Sequence, residues 1–291
     1  MKKSAARVRR WVRRNPLPFA GAILVSLLAL TAIFAPMIAP YDPSARVAAP
    51  YTPPCPEHWL GVNDIGQDIL SEVIFGARVS LTVGLLAALI STLGGTLIGV
   101  ACGYLCGAFD AVVMNIANAL MCLPSLPITL VLAAFLGGGI GNIILVICLT
   151  GWTGTARVVR ARVLSLREEP YILLAPMLGA SRWRVMTVHL LPNVFGIALT
   201  RFSIAVGGAI MTESSLSFLG LGVIGQKSWG SILQFAFSRG GIIRGYFWWF
   251  APPILCISLS MLGFMLLSYA GSDREGVAGA RKGGRRNAGN S

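Results

Sequence analysis

About six apolar stretches, each long enough to cross a lipid bilayer, recur along this 291-residue chain and constrain its fold more than any other feature. The first, 19–39, holds about 20 residues, which at about 1.5 Å of helical rise each spans the ~30 Å hydrocarbon core. The others are expected over 79–105, 110–136, 143–158, 194–211 and 247–270. Lipid offers no water to backbone N–H and C=O groups, so each stretch must satisfy them internally as a helix. Composition agrees, with 55% apolar residues, only 12% charged residues and a mean hydropathy of +0.72. So few charges cannot cover a soluble body of this size. The expected fold is an all-α integral membrane protein with about six transmembrane helices.

A net charge of +13 would suit a nucleic-acid binder, but its placement does not. Seven of the 24 basic residues lie in the first 14 positions, six between Arg157 and Arg184, and five between Arg274 and Arg286. Each cluster borders an apolar stretch, as expected for positive charge held on the cytoplasmic side and in contact with anionic lipid. Five more (Arg46, Arg78, Lys227, Arg239 and Arg244) fall in segments placed outside, and Arg201 falls within the fifth stretch. An even number of spans with both termini cytoplasmic satisfies this distribution, and no nucleic-acid partner is expected. The basic lead before 19–39 resembles a signal peptide, but the run is long and further spans follow, so an uncleaved anchor is expected.

The chain divides accordingly. Residues 1–18 are a basic cytoplasmic segment, and 19–78 the first helix with an outer loop. Residues 79–270 form a core of five helices with an inner loop at about 165–193, and 271–291 are a Gly- and Arg-rich tail expected to be disordered. Gly94, Gly95, Gly99 and Gly103 allow the second helix to approach its neighbours closely. Pro124 and Pro127 are expected to kink the third. Of six cysteines, only Cys55 sits in a polar loop, and the others lie where cysteine acts as a small hydrophobe. Cys102 and Cys106 share a helix face without a histidine, so no metal site is expected there.

Three loops carry the functional signal. The inner loop reads YILLAPMLGASRWRVMTVHLLPN over 171–193; it is basic, amphipathic and too polar to span. Gly179 suits a break between two short helices, because glycine accepts positive φ. The outer loop contains HWLGVNDIGQDIL at 58–70, in which Gly61 and Gly66 permit turns while Asp64 and Asp68 can cap helix starts. A metal site at His58, Asp64 and Asp68 is the competing assignment, and capping accounts for the same residues. The third loop is ESSLSFLGLGV at 213–223, followed by Trp229 and Gly230. A carboxylate at the end of a span, Glu213 can either face a polar path or cap the helix that follows.

The inner loop resembles the coupling loop of binding-protein-dependent ABC importer permeases, whose pattern runs E-A-A, then Gly, then L-P. Ala175, Gly179, Ala180, His189, Leu191, Pro192 and Asn193 match, while Leu173 and Leu174 replace the family's Glu and first Ala. The outer loop is similar to the H-x-L-G-T-D-x-x-G-R-D signature of the peptide/nickel branch, with Val62, Asn63 and Gln67 as departures. The third stretch matches the same branch, and the C-type subunit of dipeptide, oligopeptide and nickel importers is the nearest resemblance.

That resemblance implies a set of ATPase-coupling residues, Leu173, Leu174, Ala175, Gly179, Ala180, Arg182, His189 and Pro192. It implies an outer-loop set of His58, Gly61, Asp64, Gly66 and Asp68. A homologous second permease, one or two cytoplasmic ATPases that bind ATP and Mg, and an extracytoplasmic substrate-binding protein are the implied partners, in a bacterial inner membrane. The chain has no G-x-x-x-x-G-K-[ST] motif, so neither nucleotide binding, a cofactor nor a catalytic residue is expected of it. Peptides are the expected cargo, with nickel or a metal chelate as the alternative. Asn115, Arg201 and Glu213 are candidates for the path. An ion-coupled secondary transporter would instead place several ionisable residues at midplane and show two related halves, and the sequence shows no repeat.

Overall fold

In the computed structural model the described residues are 15–287, with side chains described for 15–269. Among them every regular element is a helix, and pairing between extended segments is limited to a bridge between Val62 and Asp68. The long helices are α1 (Pro16–Ile33), α3 (Ile69–Leu105), α6 (Ile140–Arg167), α9 (Leu191–Phe218) and α11 (Phe247–Asn287). A short turn, α2 (Ala35–Ile38), follows α1. The third span is made of α4 (Gly107–Cys122) and α5 (Ser125–Leu136). Among the described residues five helices are long and apolar enough to cross a membrane, and the count is six where the bent pair is taken as one span.

Several elements exceed their apolar cores. Helix α3 has 37 residues, which is about 55 Å of helix against ~30 Å of hydrocarbon. It starts at Ile69, ten positions before the stretch read as apolar, because Asp68 caps it by accepting from the Ser71 amide at 2.9 Å. Helix α6 likewise carries its basic end on to Arg167. Helix α11 continues to Asn287, past Gly271 where the tail begins. No proline interrupts 271–287, and Ala, Glu, Lys and Arg there favour helix. The remaining tail residues and the segment 1–14 lie outside the described residues.

The third span is broken rather than kinked. Its two halves meet at 98°, with Leu123 extended at φ −81°, ψ 141°. Proline excludes its predecessor from the helical region, so Pro124 ends α4 at this point. Pro127 falls in the first turn of α5, where an absent N–H costs nothing.

Glycines set the closest helix contact. On α3, Gly95, Gly99 and Gly103 form a stripe against α6. A Cβ at Gly99 would sit 2.6 Å from the Ala156 carbonyl oxygen, and one at Gly103 2.7 Å from Val163 Cβ. With no hydrophobic gradient between helices in lipid, such backbone approach is what holds them together. The interior is layered around these helices. Trp229, Trp249, Ile210 and Ile257 belong to one cluster, Val83, Val146 and Leu216 to a second, and Val159, Val163, Val185 and Leu190 pack together at the basic end.

Candidate functional site

The inner loop leaves α6 and forms a single turn, α7 (Pro170–Leu174), then a 3-10 turn over Pro176–Leu178. Pro176, lacking an N–H, is why the expected first helix is split into these two turns. Gly179 follows at φ +83°, ψ 11°, the left-handed position that glycine tolerates at least cost. The Gly179 amide donates to the Pro176 carbonyl and the Ala180 amide to that of Ala175, which closes the turn. The chain then enters α8 (Arg182–Arg184), capped by Ser181.

The second short helix of the loop is not separate. A π turn, Val185–Leu190, joins α8 to α9, so a helix of 37 residues runs from Arg182 to Phe218. Pro192 has no N–H to close the usual ladder, and the wider turn accommodates it. Asn193 Nδ2 donates to the His189 carbonyl at 2.6 Å, a side-chain bond within the same turn.

The loop's surface is apolar at its tip. Met177 is 83% exposed and Leu178 86%, with Trp183, Leu173 and Leu174 also exposed, whereas Ala175 is buried against the inner core. Beside them Arg167 and Arg182 line a cavity of about 280 Å³ with Leu173 and Pro176. Arg160 anchors the region from α6: its guanidinium makes a bidentate pair with Asp110 on α4 at 2.5 and 2.6 Å. Charged forks of this kind fix orientation as well as position.

At the opposite end the outer-loop set is brought together, though not as a metal centre. His58 Nδ1 lies 3.0 Å from Asp68 Oδ1, both side chains buried, and Tyr41 packs on the imidazole at 5.0 Å. Asp64 turns away to Arg239 at 3.4 Å, so it does not cap a helix as expected. Gly61 and Gly66 adopt φ +68° and +89°, confirming their turns. The departures Asn63 and Gln67 have work of their own. Asn63 Nδ2 donates to Glu72 Oε1 at 2.7 Å, and Lys227 donates to both Glu72 and Gln67. A buried carboxylate is thereby paired, which tethers the loop before α10 (Trp229–Ser238) to α3.

The three path candidates separate. Glu213 lies inside α9, fully buried, and accepts from Ser80 Oγ at 2.9 Å and Ser217 Oγ at 2.7 Å. It is a packing residue that neither faces an open path nor caps α10; that cap is Ser228. Asn115 is exposed on α4. Arg201 alone opens onto a cavity between helices, of about 310 Å³ and lined by α3, α5, α6 and α9. The hydroxyls that share it leave no pattern along the chain, since Ser91, Thr129, Thr150, Thr155 and Thr212 come from four separate helices.

Six apolar spans, a basic loop turned by Gly179 at one end and a braced outer loop at the other define a multi-pass membrane permease. Residues 95–273 match the family described as binding-protein-dependent transport system inner membrane component, and residues 5–54 match the N-terminal TM domain of oligopeptide transport permease C. The chain belongs to this family of binding-protein-dependent transport permeases. It is 35% identical over 260 residues to the dipeptide transport system permease protein DppC of Bacillus subtilis (strain 168), covering 89% of this chain and 81% of that one. The oligopeptide transport system permease protein OppC of the same organism is 37% identical over 257 residues, 87% and 82% of the two chains. The glutathione transport system permease protein GsiD of Shigella flexneri serotype 5b (strain 8401) is 37% identical over 268 residues, 89% and 85%.

Proposed function

We propose that this chain is one of two permease subunits that form the membrane path of an ATP-driven peptide importer. The observation that carries the proposal is the inner loop, where an exposed apolar tip at Met177 and Leu178 stands beside a rigid left-handed turn at Gly179. Exposed apolar surface of this kind marks a site of interaction with another protein or with the membrane, and a protein partner is the one proposed here. The partner would be an ATPase, one beneath each permease, with ATP and Mg held there. Its closure would push the loop, and because α8 and α9 are continuous through the π turn, the push would reach α9 as a lever.

On the outer side a substrate-binding protein would deliver cargo above the vestibule of about 820 Å³ that Arg78, Thr82, Gln226 and Gln234 help to line. Peptide is favoured over nickel by the names of the relatives and by the outer loop, where His58 and Asp68 engage each other and Asp64 pairs with Arg239. Uptake of labelled di- and tripeptides and of Ni²⁺ by cells carrying or lacking this chain tests the assignment. Loss of peptide uptake alone supports it; loss of Ni²⁺ uptake with peptide uptake unchanged overturns the cargo.

A further inference from the structure

We infer that Arg201 forms, with the hydroxyls around it, an intramembrane subsite for the carboxylate of a peptide in transit. The inference rests on the peptide-import assignment and names the chemistry of one station along the path.

Arg201 lies on α9 within a membrane-spanning helix, half-buried at the wall of the 310 Å³ cavity. A volume of this order suits a small ligand. Its Nε is buried and has no hydrogen-bond partner. A charge inside a span is costly unless paired, and the cavity supplies no pair, because no Asp or Glu is among its lining residues. The carboxylates of the neighbouring helices are committed, Asp110 to Arg160 and Glu213 to Ser80 and Ser217. The guanidinium also lies against α6 at a residue that makes room for it: a Cβ at Gly154 would come within 2.9 Å of Arg201 Nη2. A cation has therefore been accommodated in the membrane without a counter-charge from its own chain.

The hydroxyls complete the chemistry. Those of Ser91, Thr129, Thr150 and Thr212 donate to backbone carbonyls of their own helices. Their protons being spent, the oxygens turn lone pairs to their surroundings. One fixed cation facing a set of acceptors complements a group with a carboxylate at one end and N–H donors along its length. A peptide has that pattern and a bare divalent cation does not. A guanidinium fork can hold a carboxylate through two parallel hydrogen bonds.

The test uses the complete importer in proteoliposomes with its binding protein, and reads uptake of labelled dialanine and dialanine amide. Arg201→Gln is expected to lower dialanine uptake about tenfold or more, the scale of a lost charged hydrogen bond, while amide uptake changes less. Arg201→Lys should recover most of the loss with a raised KM. Ala205→Asp leaves Arg201 in place but sets a fixed carboxylate one helical turn away, and should block dialanine as Arg201→Gln does. That variant also decides the matter if Arg201→Gln fails to assemble or the wild type carries no amide. Unchanged dialanine uptake in Arg201→Gln or in Ala205→Asp overturns the subsite, with import itself intact. Equal loss of both probes in Arg201→Gln also overturns it, and points to a carboxylate of the second permease as the partner. If the wild-type complex imports neither probe, the peptide-import assignment fails first and the subsite with it.

Discussion

Glu213 on α9 and Ser80 on α3, 133 positions apart in sequence, are joined by a 2.9 Å hydrogen bond with both residues fully buried. Ser80 Oγ also accepts from the Trp229 amide, and Trp229 Nε1 donates to the Val73 carbonyl at 3.0 Å, so α10 is locked onto the same pair. Glu213→Ala leaves the buried hydroxyls of Ser80, Ser214 and Ser217 short of an acceptor and should cost about 2 kcal/mol. The expected fall in the detergent unfolding midpoint is about 5 °C. Ser80→Ala should cost less, because Ser217 still serves the carboxylate. Thermal unfolding of both variants checks the order.

Lys227→Met strands the Glu72 carboxylate, whose side chain is only 2% exposed. Removing one partner of a buried pair costs about 3 kcal/mol or more, whereas removing both costs less. Glu72→Gln combined with Lys227→Met should therefore be more stable than Lys227→Met alone, as read by the same unfolding assay.

Gly94 and Gly99, about 7.5 Å apart along α3 by helical rise, should behave oppositely. A Cβ at Gly94 meets nothing within 4 Å, but at Gly99 it would strike the Ala156 backbone. Gly94→Ala should be tolerated, with a gain of up to about 1 kcal/mol in helix preference. Gly99→Ala should separate α3 from α6 and reduce folded yield by size-exclusion chromatography.

Gly179 tests the loop's turn. A β-branched residue at φ +83° is strained by about 1–2 kcal/mol. Gly179→Val should uncouple transport from ATP hydrolysis in the assembled complex while leaving the membrane core folded. Gly179→Asn, which visits left-handed backbone more readily, should retain more activity. Transport per ATP hydrolysed is the measurement.

How much of this was legible in the sequence follows from what hydropathy reports. It marks where lipid lies, so the six spans were readable, but helices do not end where lipid does. Ile69 to Arg78 is helix despite Glu72 and Arg78 because Asp68 caps it, and Arg182 to Leu190 joins the fifth span because a π turn absorbs Pro192. Pro124 was visible, but a residue's own sequence does not tell a kink from a 98° break, which depends on Leu123 going extended. Glu213 was visible as a charge in an apolar context, and only the fold supplies Ser80 to satisfy it. Arg201 was singled out for its charge, while its hydroxyl neighbours reach it from separate helices and left no pattern along the chain.

Docking of the tip at Met177 and Leu178 on an ATPase is what makes the loop a coupling element in this proposal. A photoreactive phenylalanine analogue at Met177 in the full-length chain, irradiated in native membranes, tests it most directly. A crosslinked product of this chain with an ATPase subunit is expected, its yield changing when ATP is added. Crosslinking to lipid alone, with no protein adduct, would contradict it and make the loop an interfacial membrane segment.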